Sequence, residues 1–262
     1  MNETLRLIIA QKQRNLKSPF PIVPRDIEIF PVPRKATIIM GIRRSGKSTW
    51  QHEKIAALLD SGVPNESICY IDFSDDRLDF LRDEKSEPSV ITDTYYGMHP
   101  DKHAQKVYFF FDEIQYVHRW GQFVNRLQTT QDCEVYITGS SAKLLSKEIA
   151  TELGGRTFAW EMFPFSLREF LRATGKKQSI DDIASRDEII GAFGEYVVKG
   201  GMPERLILPR ETMAVAYLQN LVNDVLTRDV ILRYNIPHPV QLKQLVHILM
   251  SNMSCMISVN KL

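Results

Sequence analysis

Apolar residues along the chain fall into short unbroken runs separated by stretches of helical period, and this alternation sets the fold class. Ala36-Thr37-Ile38-Ile39-Met40 is one such run, stopped by Gly41, and reads as a buried strand. Helical spacing follows from about Ser48 to Leu59 and ends at Gly62-Val63-Pro64. Ile68-Cys69-Tyr70-Ile71-Asp72-Phe73 is a second strand. A third, Val107-Tyr108-Phe109-Phe110-Phe111, is apolar on both faces, as a central parallel strand must be. A helix near Trp120–Gln128 leads to a fourth strand, Glu134-Val135-Tyr136-Ile137-Thr138. Strands alternating with helices predict an α/β fold with a central parallel sheet covered on both sides.

The two ends read differently. Within the first 35 residues, Leu5, Leu7, Ile8 and Ile9 suggest a short helix, after which Pro19, Pro21, Pro24, Pro31 and Pro33 deny regular structure. After about residue 165 the pattern is helical. Ile189, Ile190, Phe193, Tyr196 and Val197 share one helical face, as do Leu218, Leu221, Val222, Val225 and Leu226, so both stripes are expected in the core of a helical subdomain. The expected division is an arm over 1–35, a core over 36–175, a helical lid over 176–235 and the start of a further segment over 236–262. The last residues, Ser258-Val259-Asn260-Lys261-Leu262, are still amphipathic, which reads as a domain cut off there.

Composition adds limits. A chain of 262 residues with 44% hydrophobic and 25% charged residues holds enough apolar surface for a sizeable core, which excludes disorder. Cys69, Cys133 and Cys255 lie too far apart for a disulfide framework or a zinc knuckle, so a reduced, cytoplasmic setting is expected. No run approaches the roughly 18 apolar residues that span a bilayer, and no signal peptide is evident. The net charge of +1 conceals an imbalance: residues 1–50 carry ten Lys/Arg against three Asp/Glu. Something near the N-terminus calls for positive potential.

That something is a phosphate site. Gly41-Ile42-Arg43-Arg44-Ser45-Gly46-Lys47-Ser48 fits G-x-x-x-x-G-K-[ST] in full, after a strand and opening a helix. The glycines let backbone N–H groups wrap phosphates, and the helix N-terminus adds a positive dipole end. Lys47 is expected to reach the β- and γ-phosphates and Ser48 to bind Mg²⁺, with Thr49 closing the phosphate-binding run. Asp112-Glu113 follows the third strand, at the sheet edge where open α/β folds bind ligands. Asp112 is expected to hold Mg²⁺ and Glu113 to activate a water as general base. In Thr138-Gly139-Ser140-Ser141, Thr138 is a candidate for sensing the γ-phosphate or the attacking water; capping of the next helix by a serine is an equally physical reading. Arg156, after Gly154-Gly155, is either an arginine finger toward a neighbouring subunit or a structural ion-pair partner. Asp72 and Asp75-Asp76 read as turn formers, and His52-Glu53 lacks the second histidine of a zinc-protease helix, so no metal other than Mg²⁺ is expected.

Taken together these motifs resemble the AAA+-like P-loop ATPases of bacteria and archaea related to the STAND branch. The resemblance rests on the phosphate loop, Asp112-Glu113, Thr138-Gly139-Ser140-Ser141, Gly155-Arg156, Phe163-Pro164-Phe165-Ser166 with Glu169-Phe170, and Gly200-Gly201-Met202-Pro203-Glu204, in that order. It covers roughly residues 36–262 and implies a strand order 5-1-4-3-2, a helical lid, then a winged-helix segment and, in many members, a nuclease-like domain. The chain departs by ending where the winged helix would begin, at 236–262. The resemblance implies ATP rather than GTP, and a Mg²⁺-dependent ATPase that couples nucleotide state to conformational change. An alternative is a nucleotide-gated module with little intrinsic hydrolysis, acting on a protein or DNA partner through the region beyond Leu262. A P-loop kinase is a third reading, disfavoured by Asp112-Glu113. Self-association is expected if Arg156 acts in trans, and no membrane partner is expected.

Overall fold

The computed structural model describes residues 2–16, 22–140, 157–177, 179 and 183–252. Five parallel strands make one sheet: β1 (Ala36–Gly41), β2 (Ile68–Asp72), β3 (Val107–Asp112), β4 (Cys133–Ser140) and β5 (Thr157–Glu161). Their order is β2-β3-β4-β1-β5, all pairs parallel, which is the order 5-1-4-3-2 read from the opposite edge. The sheet thus places β1 beside β4 and β4 beside β3, although residues 42–106 separate β1 from β3 in the chain.

The pleat sorts the apolar runs onto two faces. Successive side chains of a strand point to opposite sides. Accordingly Ile38 and Met40, Phe109 and Phe111, and Val135 and Ile137 enter one buried cluster. Ile39, Phe110 and Tyr136 enter the other, with Trp50, Ile55 and Met162. A run such as Val107–Phe111 is apolar throughout because it serves both. Helix α1 (Glu3–Arg14) covers the first face with α3 (Ser89–Met98) and α4 (Trp120–Thr130), while α2 (Lys47–Asp60) covers the second. Leu5, Ile8 and Ile9 of α1 are fully buried, and α1 packs on β2 and α3. The start of the expected arm is therefore built into the core.

A short helix, α5 (Leu167–Ala173), and a longer one, α6 (Ile183–Lys199), follow β5. The apolar stripe of α6 coincides only in part with its burial. Ser185 and Ala192 are buried, and Tyr196 packs edge-on against Phe170 of α5 with its hydroxyl donating to the Phe165 carbonyl. Ile190, Phe193 and Val197 stay exposed. Ile189 and Tyr196 of the stripe are half-buried beside Ser185 and Ala192, so the hydrophobic stripe overlaps the packed face only in part. A one-turn helix, α7 (Pro203–Leu206), ends this unit.

The chain divides into two compact units, residues 1–206 and 207–262. Within the second, α8 (Glu211–Asp224) runs into a π-helical turn at Val225–Ile231 and three further helical residues, Leu232–Tyr234. Asn235 reverses the chain in the left-handed region, and α9 (Pro239–Ser251) follows. Residues 253–262, Cys255 among them, lie outside the described residues. Among those described, no helix is long and apolar enough to cross a membrane.

Phe110 is the centre of the second face, stacked on Tyr136 at 4.7 Å and 10°. Phe110→Ala is expected to cost about 3–5 kcal/mol through lost burial and an unfilled cavity, read as a lower midpoint in denaturant titration.

Candidate functional site

The phosphate loop spans the turn between β1 and α2, and its two glycines are dictated by space. A Cβ at Gly41 would run into the Met162 carbonyl and come within 2.9 Å of the Ser45 hydroxyl. Gly46 has φ 101°, in the left-handed region, and a Cβ there would sit 3.0 Å from Arg25 Nη1. Arg44 is also left-handed, at φ 63°, which turns its side chain outward. There it meets Glu204 of α7 through Nη1, at 2.7 and 2.5 Å from the two carboxylate oxygens. Helix α2 begins at Lys47 with no side-chain cap, so the donors of its first turn suit an anion.

Lys47 is buried and donates from Nζ to the carbonyls of Gly41 and Ile42, at 3.1 and 2.9 Å. It folds back along the loop, a reach from which it also acts on Glu113. Ile42 is exposed, Arg43 and Thr49 are half-buried, and Ser45 is fully buried.

The two acids meet the loop from the third strand. Asp112 ends β3, is buried, and has both oxygens engaged: Tyr70 donates to Oδ2 at 3.1 Å and Thr138 donates to Oδ1. Thr138 also accepts the backbone N–H of Glu113 at 3.1 Å. A single hydroxyl on β4 therefore links both acids, while Thr138 itself lies opposite Ile39 of β1. Glu113 takes φ 55°, a conformation unusual for a side-chain-bearing residue and common where strain is kept at functional sites. Burial pushes its carboxyl above the ordinary range, against the opposing pull of Lys47. Gln115 donates its amide to Glu113 Oε2, while Gln115 Oε1 is buried without a partner. Burial, then the neighbouring Asp112 charge, hold the Tyr70 phenol far above its usual range, so it acts as a donor.

Lys47, Asp112, Glu113 and Thr138 are thus brought to one sheet edge. Arg156 and Ser141 lie outside the described residues. Three residues of this site were missed by motif reading. Tyr70 carried a signal, since a tyrosine inside a buried strand needs a partner for its hydroxyl. Gln115 carried none beyond its nearness to Glu113. Arg25 stood in the proline-rich arm, where only the excess of positive charge pointed.

Mg²⁺ can be tested against these groups. Among the described residues no cluster of three His, Cys, Asp or Glu could hold an ion. Asp112 offers a carboxylate already oriented by two hydroxyls, each oxygen keeping a second lone pair. With Ser48 at the start of α2, this suits an ion that arrives with phosphates and keeps its waters.

Residues 33–171 match the family described as AAA domain, more than half of the chain, and the chain belongs to that family. Residues 190–262 match a domain of unknown function (DUF8612). The uncharacterized protein MJ1544 of Methanocaldococcus jannaschii is 33% identical over 246 residues, covering 92% of this chain and 52% of its own length. An uncharacterized protein of Haemophilus influenzae is 28% identical over 226 residues, 86% of this chain and 53% of its own. The chain spans about half the length of these curated relatives. Among solved structures, PCH-2 of C. elegans is similar over 65% of this chain and 43% of its own, with TM-score 0.39 and 12% identity. RIF2 of Saccharomyces cerevisiae is similar over 84% and 90%, with TM-score 0.35 and 11% identity. Family and site together define a nucleotide-binding P-loop protein of the AAA type.

The raised Glu113 carboxyl makes a stability prediction with a definite sign. A carboxyl whose folded pKa exceeds its unfolded value favours folding when protonated, and loses that contribution as pH rises through the unfolded and then the folded pKa. At neutral pH the ionised group opposes folding, so Glu113→Gln is expected to raise Tm there, with the gain shrinking as pH is lowered through the carboxylate range. A thermal-melt series across pH checks it.

Proposed function

We propose that the protein hydrolyses ATP with Mg²⁺. The observation that carries this reading is the meeting of Lys47, Asp112, Glu113 and Thr138 at the C-terminal edge of β1, β3 and β4. Lys47 neutralises the β- and γ-phosphates, exchanging its loop carbonyls for phosphate oxygens. Ser48 and Asp112 would hold Mg²⁺, which when bound neutralises phosphate charge. Glu113 takes a proton from water as the water oxygen bonds to the γ-phosphorus, and the bond from that phosphorus to the ADP oxygen breaks. Thr138 holds the Asp112 carboxylate and the Glu113 backbone in place. Arg156 in this reading reaches the γ-phosphate of a neighbouring copy, so that ATP promotes self-association and couples hydrolysis to conformational change.

One contact favours a second reading, a nucleotide-gated module with little intrinsic turnover. Gln115 engages the Glu113 carboxylate, and a base held by an amide is slow until something draws the two apart. Phosphate release measured alone and then with DNA separates the readings: steady turnover alone supports the hydrolase, and turnover only with DNA supports the gated module.

For the leading reading, Lys47→Ala is expected to abolish nucleotide binding. Glu113→Gln is expected to bind ATP and lose turnover by about 10²–10⁴-fold, the usual contribution of a positioned base. Normal phosphate release by the Glu113→Gln protein would overturn the assignment of the base.

A further inference from the structure

Arg25 precedes the residues that match the AAA domain family, yet its guanidinium lies against the phosphate loop. Its side chain is only 7% exposed. Nη1 donates to the Ser45 carbonyl at 2.7 Å, Nη2 to the Phe163 carbonyl at 2.5 Å, and Nε to Glu169 Oε1 at 2.9 Å. The guanidinium carbon lies 4.9 Å from the Phe165 ring centroid. Four contacts in different directions fix the group in one place.

Its counter-ion is fixed as well. Glu169 also accepts the backbone N–H of Asp26 at 2.7 Å and that of Ser166 at 2.9 Å, while the Ser166 hydroxyl caps α5 in return. Burial alone would raise the Glu169 carboxyl, but the Arg25 bond and the two N–H groups hold it below its usual range. A buried charge pair survives when its remaining hydrogen-bonding capacity is met, and this one is met.

We infer that Arg25 is a positioning residue for nucleotide: it anchors and polarises the Ser45–Gly46 peptide, through which the phosphate loop donates to phosphate. This rests on the nucleotide reading of the loop. The Ser45 carbonyl and the Gly46 N–H belong to one planar trans peptide and point in opposite directions. A guanidinium on the oxygen therefore leaves the N–H directed away from Arg25, to the other side of the loop. A charged donor on the carbonyl strengthens the dipole of the same peptide and makes its N–H a better donor. Gly46 serves this contact too, because any Cβ would press on Nη1. Arg25 thus lends positive charge to the phosphates through the backbone, without touching them.

Arg172 supplies the comparison. It ties the same arm to α5, through Asp26 at 2.7 Å and the Pro24 carbonyl. The test is calorimetric titration of a non-hydrolysable ATP analogue with Mg²⁺ into the wild type, Arg25→Met, Arg25→Lys and Arg172→Met, with Tm measured for each. Arg25→Met is expected to raise Kd by about 10- to 100-fold, the worth of one charge-assisted hydrogen bond. Arg25→Lys keeps the charge without the fork and falls between. Arg172→Met keeps the wild-type Kd whatever it does to Tm. In turnover, Arg25→Met raises KM and leaves kcat in place. Wild-type affinity in Arg25→Met overturns the inference, and so does equal weakening in Arg25→Met and Arg172→Met that tracks Tm. If Arg25→Met fails to fold, Arg25→Lys decides: weaker binding at wild-type Tm supports the inference, and unchanged binding overturns it. A wild type that binds no analogue overturns the nucleotide reading and this inference with it.

Discussion

The hydroxyl of Thr138 donates to the Asp112 carboxylate and accepts the Glu113 N–H, so one buried atom on β4 holds the Asp112 carboxylate and the Glu113 backbone at the end of β3. That contact exists only because the sheet inserts β4 between β1 and β3. Were β3 paired directly with β1, neither acid would have a strand-edge donor beside it. Tyr70 completes the constraint from β2 on the other side. β2, β3 and β4 thus share one hydrogen-bonded group, which fastens the Asp112 carboxylate inside the core and leaves Glu113 in the left-handed region beside Lys47. Burial of a carboxylate without such donors would cost several kcal/mol. Asp112 is accommodated in the core because Tyr70 and Thr138 donate to it, whereas Glu113 is held there at a cost to stability.

The phosphate loop is secured in a complementary way, from outside the sheet. Arg25 fastens its far turn to the β5–α5 connection, and Arg44 reaches across to Glu204 on α7. The first of these pairs is buried and fully hydrogen-bonded, so it sets the loop's shape. The second is about half exposed, and a pair of that kind contributes roughly 0–1 kcal/mol, little enough to be remade when a triphosphate competes for the guanidinium. Rigid below and exchangeable above is a reasonable arrangement for a loop that must take up and release an anion.

Much of this was legible in the residues alone. The strands at Ala36, Ile68, Val107 and Glu134 were visible because unbroken apolar runs are rare outside buried strands, and the motif at Gly41–Ser48 located the site because its glycines answer to steric limits. The resemblance supplied the strand order, which local pattern does not encode. Two of the three site residues that escaped reading, Arg25 and Tyr70, depend on partners distant in sequence, whereas Gln115 sits two positions from Glu113 in a pattern that carries no motif. Arg25 meets Glu169 across 144 positions, Tyr70 meets Asp112 across 42, and no window contains both members. The stripe on α6 held only in part, for the opposite reason. Its apolar periodicity was real, but full burial falls on Ser185 and Ala192, whose small side chains contribute little to any hydrophobic pattern.

The central claim is that the backbone of the phosphate loop receives a triphosphate. Amide hydrogen exchange of the wild-type protein, with and without ATP and Mg²⁺, addresses it directly at the atoms concerned. The account predicts slowed exchange at Gly41–Thr49 and at the Asp112–Glu113 turn. Unaltered exchange across Gly41–Thr49 at saturating ATP, or protection that appears only elsewhere, would contradict it.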